Sequence, residues 1–263
     1  MSCVQWILLH VPSFLIVLMI AAMYVSLSIV GLYIMKRFHS PAKLKKHNDV
    51  AGFIFATLGV TYAVLLSFIV VVTWQNFDEA HKNAAQEAND IVSLYHDTRP
   101  LSPTFRSALK GHLVTYVRAI IEEEWPIMIK GEQSAQAQQA QDAIWRLYGR
   151  YRPATETQKI FFMESLDKLN EACELRRARL LEAHLAVHPV IYFVLIVGGL
   201  ITISFTVFFG TENFGPQLIM TSLLAAMIGI ALSTVIILDF PFTGDVSVTA
   251  GVFKEVLATL ISS

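Results

Sequence analysis

Four windows of the chain contain no Asp, Glu, Lys or Arg: residues 11–35, 50–73, 190–209 and 218–238. Each has about the 20 apolar residues that a helix needs to cross a bilayer. One central charge would cost about 2.5–3.5 kcal/mol there, so the pattern predicts four transmembrane helices. The first window is too long for a cleavable signal, and no Lys or Arg precedes it.

Between the second and third windows, residues 74–189 are polar with helical periodicity. Phe77, Ala80, Ala84, Ala88, Ile91 and Tyr95 recur three and four apart, as do Phe105, Leu109, Leu113, Tyr116 and Ile120. Residues 155–185 carry Ile160, Phe161, Leu166, Leu169, Leu180 and Leu181 among charges. Alternation and hairpin turns are missing, so the expected fold is all-α: a polytopic membrane protein with a helical extramembrane domain between its second and third spans. Gly and Pro are absent between Val60 and Thr98, which predicts one continuous helix leaving the membrane. Pro189 is placed to start the third span. The Gln/Ala-biased stretch at 131–143 reads as a loop running into a helix. Residues 36–49 form a basic loop, and 239–263 a turn followed by an amphipathic tail through Val252, Phe253, Val256, Leu257 and Leu260.

Composition supports the membrane reading. The chain is 54% hydrophobic and 16% charged, against about 25% charged in soluble domains. Its net charge of −1 gives no reason to expect a nucleic-acid partner. Cys3 and Cys173 have no partner spacing for a disulfide framework or a zinc site. An even number of spans puts both termini and the middle domain on one side. Lys36, Arg37, Lys43, Lys45 and Lys46 in the first loop, against Lys254 alone in the termini, place that loop inside and the domain outside. Lys82, Arg176, Arg177 and Arg179 on the domain flanks pull the other way.

Small residues form two stripes. Gly52, Ala56, Gly59 and Ala63 lie along the second span, and Ser222, Ala226, Gly229 and Ser233 repeat the same spacing on the fourth. Without a hydrophobic drive in lipid, such stripes let helices approach closely, within one protomer or between subunits. Beside the first stripe, Phe55, Tyr62 and Ile69 recur every seven residues and are candidates to line a constriction that gates by dewetting. No charged residue inside the spans offers a proton relay.

Candidate chemistry is sparse. His184 and His188 share a helical face but lack a third metal ligand. The run EEEWP at 122–126 reads as a solvated face, with a cation or subunit contact as the alternative. LRRARL at 175–180 could meet lipid phosphates, or Glu171 and Glu174 on its own helix. In LDFPFTGDVSV (238–248), Pro241 stops a helix, Gly244 suits a turn, and Asp239 and Asp245 make it a candidate ion-binding turn. No nucleophile–base pairing or phosphate-binding loop is present, so neither a catalytic residue nor a cofactor is expected.

Four of these segments carry a resemblance. HNDVAGFIFATLGVTYAVLLSFIVVVTWQNFDEA with QEANDIVSLY, then EEWP, then LRRARLLEAHLAVHPVIYFVLIVGGL leading to FFG, and finally LDFPFTGDVSV, together resemble the bacterial bestrophin-like domain family. The family name implies a relation to bestrophins, which are pentameric anion channels with helical extramembrane domains and a hydrophobic neck on the second span. The resemblance implies a homo-oligomer in the cell inner membrane that conducts small anions passively. The alternative is a non-conducting, membrane-anchored sensor or scaffold whose helical domain binds a protein partner.

Overall fold

A run without Gly or Pro gives a helix no place to break, and the longest such run dominates the molecule. The computed structural model describes residues 3–38, 45, 47–184, 186–211 and 213–262. In chain order its helices are α1 (Cys3–His10), α2 (Ser13–Phe38), α3 (Asn48–Asp97), α4 (Pro103–Ala119), α5 (Trp125–Met128), α6 (Ala135–Arg150), α7 (Glu156–Glu182), α8 (Pro189–Thr206), α9 (Phe214–Leu238) and α10 (Gly251–Ser262). A π-helical turn, Ile120–Glu124, joins α4 to α5. Among the described residues there is no strand, so the protein is all-α. The helices α2, α3, α8 and α9 are long and apolar enough to span a membrane. Helix α3 is 50 residues long, so it crosses the membrane and continues into the extramembrane domain without interruption.

Local chemistry starts the other helices. Ser102, Ser134 and Thr155 accept hydrogen bonds from the backbone N–H groups of Phe105, Ala137 and Gln158, capping α4, α6 and α7. Pro103 and Pro189 occupy the first turns of α4 and α8, where their missing N–H costs nothing. Gly131, at φ 90°, makes the turn that leads to Ser134. The expected loop at 131–143 is therefore short, and the helix takes over at Ala135.

The extramembrane stripes pack as their spacing requires. Ala80, Ala84, Ala88, Ile91 and Tyr95 of α3 and Phe105, Leu109, Leu113 and Tyr116 of α4 are all buried, as is Ile120. One expectation needs correction. Ile160, Phe161 and Leu181 of α7 face outward, because the inward face of α7 is filled by Leu169, Ala172, Cys173, Arg176 and Arg179 instead. The C-terminal tail, α10, buries Phe253, Val256 and Leu260 in the core of the extramembrane domain, so its apolar face is spent on that domain. Lys36, Arg37 and Lys45 of the basic loop are described; Lys43 and Lys46 lie outside the described residues.

Within the membrane the first and fourth spans pair most closely. A Cβ built on Gly229 would fall 2.7 Å from the Ala21 Cα, so only a bare backbone fits. Gly59 has no neighbour within 4 Å of such a Cβ. Gly229→Leu should therefore sharply lower the thermal unfolding midpoint of the detergent-solubilised protein, since backbone blocks the new side chain. Gly59→Leu should leave the fold of the protomer intact, as read by helical circular dichroism.

Candidate functional site

The second span is held from behind. Tyr62 is buried and its hydroxyl donates to the Leu195 carbonyl on α8 at 3.1 Å. Gly198 and Gly199 make the recess for the ring: a Cβ on either would come within 2.8–2.9 Å of Tyr62 atoms. Phe55 packs on Phe205 and Phe209 of the third-span region, with ring centroids 6.2 and 5.7 Å apart, and Ile69 joins the same membrane core. Within the protomer, the stripe expected to line a constriction thus faces the third span. The tyrosine needs both a glycine recess and a carbonyl acceptor, and α8 supplies both. The opposite face of the span exposes Phe53, Val60, Val64, Phe68 and Val71.

The two small-residue stripes separate. Gly229 and Ser233 are buried, with Gly229 against the first span; Ser222 and Ala226 are half-buried. Gly52 and Gly59 meet nothing, and Ala56 and Ala63 are exposed. The other flank of the second span borders a groove of about 680 Å³, lined by Ile54, Thr57, Thr61 and Leu65 with Val194 and Ile201 across it.

The turn after the fourth span acts as a clasp. Both oxygens of Asp239 accept from the Val187 N–H at 2.9 and 3.0 Å, and the Tyr192 hydroxyl donates to it at 2.7 Å. This ties the fourth span to the start of the third. Asp245 accepts from the Ser13 N–H at 3.1 Å and from the Ser13 hydroxyl, capping the first span. The Ser13 hydroxyl and backbone bonds hold the Asp245 carboxyl below the usual range. Gly244, at φ 94°, lets the turn pass the Leu8 carbonyl: a Cβ there would lie 3.0 Å from that oxygen. The two carboxylates expected to bind an ion are thus each engaged by donors of the protein itself.

The extramembrane domain closes on four buried charges that periodicity did not reveal. Arg179 is fully buried and grips Glu87 with two bonds, Nε to Oε2 at 2.7 Å and Nη2 to Oε1 at 3.0 Å. Its Nη2 also reaches Glu124 at 3.0 Å. Arg176 bonds both Glu124 oxygens through Nε at 3.0 and 3.2 Å, and donates to Gln138 and Gln141. The Arg179 guanidinium lies 5.0 Å from the Trp125 ring centroid and 5.5 Å from that of Phe253. Burial pushes the Glu124 carboxyl up, but the Arg176 hydrogen bonds and the Arg179 charge outweigh it and hold it low.

The acidic run is therefore not a uniform solvated face. Glu122 is exposed, Glu123 accepts from the Ser134 hydroxyl at 3.0 Å, and Glu124 is buried. The π turn adds a residue to the helical repeat and re-aims the side chain. Of the basic cluster, only Arg177 stays near its own helix's Glu174, at 4.0 Å. Arg176 and Arg179, three apart, share an inward face, and that spacing was the available signal. His188 accepts from the Val190 N–H at the start of α8. His184 lines a 210 Å³ cavity with Gln5 and Lys130. Among the described residues, no three His, Cys, Asp or Glu side chains are grouped to hold a metal.

Comparison with known proteins adds a relationship to this geometry. A family model described as the bestrophin-like domain matches residues 4–253. Crystal structures of a bacterial bestrophin homologue from Klebsiella pneumoniae share the fold. The form solved by Zn-SAD phasing is 15% identical, with a TM-score of 0.69 over 93% of this chain and 97% of that one. Two point variants match at TM-scores of 0.70 and 0.73, with 14% and 17% identity over 93% and 96% of this chain and 99% and 98% of theirs. No curated protein matches the chain.

Removing one partner from a buried ion pair costs about 3–5 kcal/mol. Arg179→Ala should destabilise the protein by that order near neutral pH, measured by denaturant unfolding. Burial already raises the Glu87 carboxyl, and without Arg179 it rises further. The folded variant then binds more protons than the unfolded chain, so its stability falls as pH rises. The deficit against the parent should therefore shrink on acidification from pH 7 towards pH 5. A deficit independent of pH would show that no carboxylate had been left stranded.

Proposed function

The chain belongs to the bestrophin-like domain family, and from that premise we propose that it is an oligomeric membrane channel passing small anions passively. The uncovered surface of the second span carries the reading. Only 11% of its apolar window is buried in the protomer, against 50% for the fourth span. Its back is fixed by Tyr62, one flank is the small-residue stripe, and the other is the groove. A helix held from behind and open on both flanks suits a place between two neighbouring copies. That arrangement turns Val60, Val64 and Val71 towards a shared axis. At about 100° per residue, these lie within roughly 20° of the direction opposite Tyr62. A ring of such side chains narrows a pore without charge and gates by dewetting. Phe55, Tyr62 and Ile69 are then the support behind the constriction rather than its lining.

Charge at one mouth favours anions. There the second span begins, so an assembly gathers the positive ends of several helix dipoles. Lys36, Arg37 and Lys45 lie on that side, with Asp49 in the first turn as a partial offset. Such a field raises the local concentration of anions. The resemblance supplies the copy number, five. The same basic residues support an orientation with the first loop in the cytoplasm and the helical domain in the periplasm of an inner-membrane protein.

Purified protein in liposomes should pass chloride faster than sodium, read by separate ion-sensitive flux assays against empty vesicles. Val64→Ala should raise the flux several-fold. Gly59→Leu should reduce the assembly mass measured by light scattering while the protomer remains folded. Absence of flux from both the parent and Val64→Ala would favour the non-conducting scaffold. For orientation, a Gln133→Cys variant with Cys3 and Cys173 replaced by Ser should react with an impermeant thiol reagent in intact spheroplasts. Labelling only after lysis would reverse the orientation.

A further inference from the structure

Beyond Thr73, α3 continues for about 36 Å at 1.5 Å per residue, which carries its end well clear of any bilayer. At that end the chain turns, and the turn anchors a set of aromatic rings. The Ser102 N–H donates to the Tyr151 hydroxyl at 3.1 Å, and the Gln158 amide donates to the Pro100 carbonyl at 3.2 Å. Phe105 packs against Tyr151 at a tilt of 40°, with centroids 4.3 Å apart. Phe162 lies 5.4 Å from Tyr148 and 5.6 Å from Tyr151. These rings fix one wall of a cleft of about 600 Å³, with Trp145, Met163 and Leu166 completing it. Small-molecule sites typically span about 300–1,000 Å³ and are apolar with a few placed polar groups.

Two features distinguish this cleft from an ordinary surface dent. Gly149 lines it, and a Cβ built on Gly149 would meet nothing within 4 Å, so a larger side chain there has open space to occupy. Its charged lining residues are both cations, Arg152 and Lys159. The Arg152 Nη1 is pinned by the Gly149 and Tyr151 carbonyls at 3.0 and 2.9 Å, which fixes the guanidinium at the mouth. Lys159 lies 4.0 Å from Glu156, and both side chains are exposed. A flat ring system matches the aromatic wall, and a carboxylate or sulfonate matches the two cations.

The geometry points to a binding site for a flat aromatic anion, an aryl carboxylate or sulfonate, at the end of the extramembrane domain farthest from the membrane. It is independent of ion conduction and needs no lipid, because the distance from the bilayer excludes one. The ring plane packs on Tyr151 and Phe162, which Tyr148 supports from behind, and the acid group meets Arg152 and Lys159.

The test uses the full chain in nanodiscs, titrated calorimetrically with naphthalene-2-sulfonate, with empty discs as the blank and neutral naphthalene-2-sulfonamide as the comparison. The parent should bind the sulfonate saturably and more tightly than the sulfonamide. Gly149→Leu fills the cleft at a helical position that favours Leu over Gly, and should weaken binding of both probes at least tenfold with unchanged circular dichroism. Arg152→Gln with Lys159→Gln should weaken the sulfonate several-fold and leave the sulfonamide unaffected. Absence of saturable binding to the parent, or equal binding by Gly149→Leu, would overturn the proposal. A change in assembly mass in Gly149→Leu, with no probe bound by the parent, would also overturn it by assigning the cleft to a neighbouring copy.

Discussion

Two guanidinium groups and two carboxylates shut away from water govern how the extramembrane helices meet. Taking a charge out of water costs several kcal/mol, and only a close, well-directed partner repays it. Arg179 and Arg176 sit on the helix returning to the membrane, Glu87 on the helix leaving it, and Glu124 in the π turn between them. Sliding α7 along α3 by one residue would shift it about 1.5 Å and rotate it about 100°, stranding all four charges. The ionic core therefore helps to fix the register in which the third span is delivered back beside the second.

The same requirement joins segments far apart in sequence. Trp125 follows Glu124 directly and lies beside Arg179; its ring also meets Phe242 of the turn after the fourth span. That turn uses Asp239 to hold the entrance to the third span and Asp245 to cap the first. The four stretches that carry the family resemblance are therefore largely one connected structure: the extended second-span helix, the acidic turn, the basic helix and the clasp.

Much of this architecture was legible from residue order. Four uncharged windows define the spans, because a bilayer imposes a length and excludes charge. The unbroken passage of α3 out of the membrane follows from the lack of Gly and Pro beyond Val60, and the buried faces of its domain portion and of α4 follow from helical period. Pairing was not legible. Glu87 and Arg179 are 92 positions apart, and nothing local distinguishes a buried Arg from a solvated one except that Arg176 and Arg179 share a face. The membrane helices hid more, since every side of a span is apolar and periodicity cannot separate core from lipid. Two stripes with identical spacing, Gly52 to Ala63 and Ser222 to Ser233, thus have different surroundings: the first is uncovered, while Gly229 of the second lies against Ala21. Phe55, Tyr62 and Ile69 likewise read from spacing alone as candidates to line a constriction, while the Gly198–Gly199 recess that receives the tyrosine within the protomer is invisible to spacing.

The unbroken α3 has a mechanical consequence. A helix without a hinge cannot absorb rotation along its length, so its two halves behave as the arms of a stiff lever. The arm beyond the membrane is about 36 Å long. Tilting the rod by 5° about the membrane surface moves its far tip by roughly 3 Å and swings the buried arm the opposite way by a comparable fraction of its length. The ionic core clamps the lever to α7, and the tyrosine in its glycine recess clamps it to α8. A strain applied at the distal end therefore reaches the middle of the bilayer as displacement rather than being lost in a flexible joint.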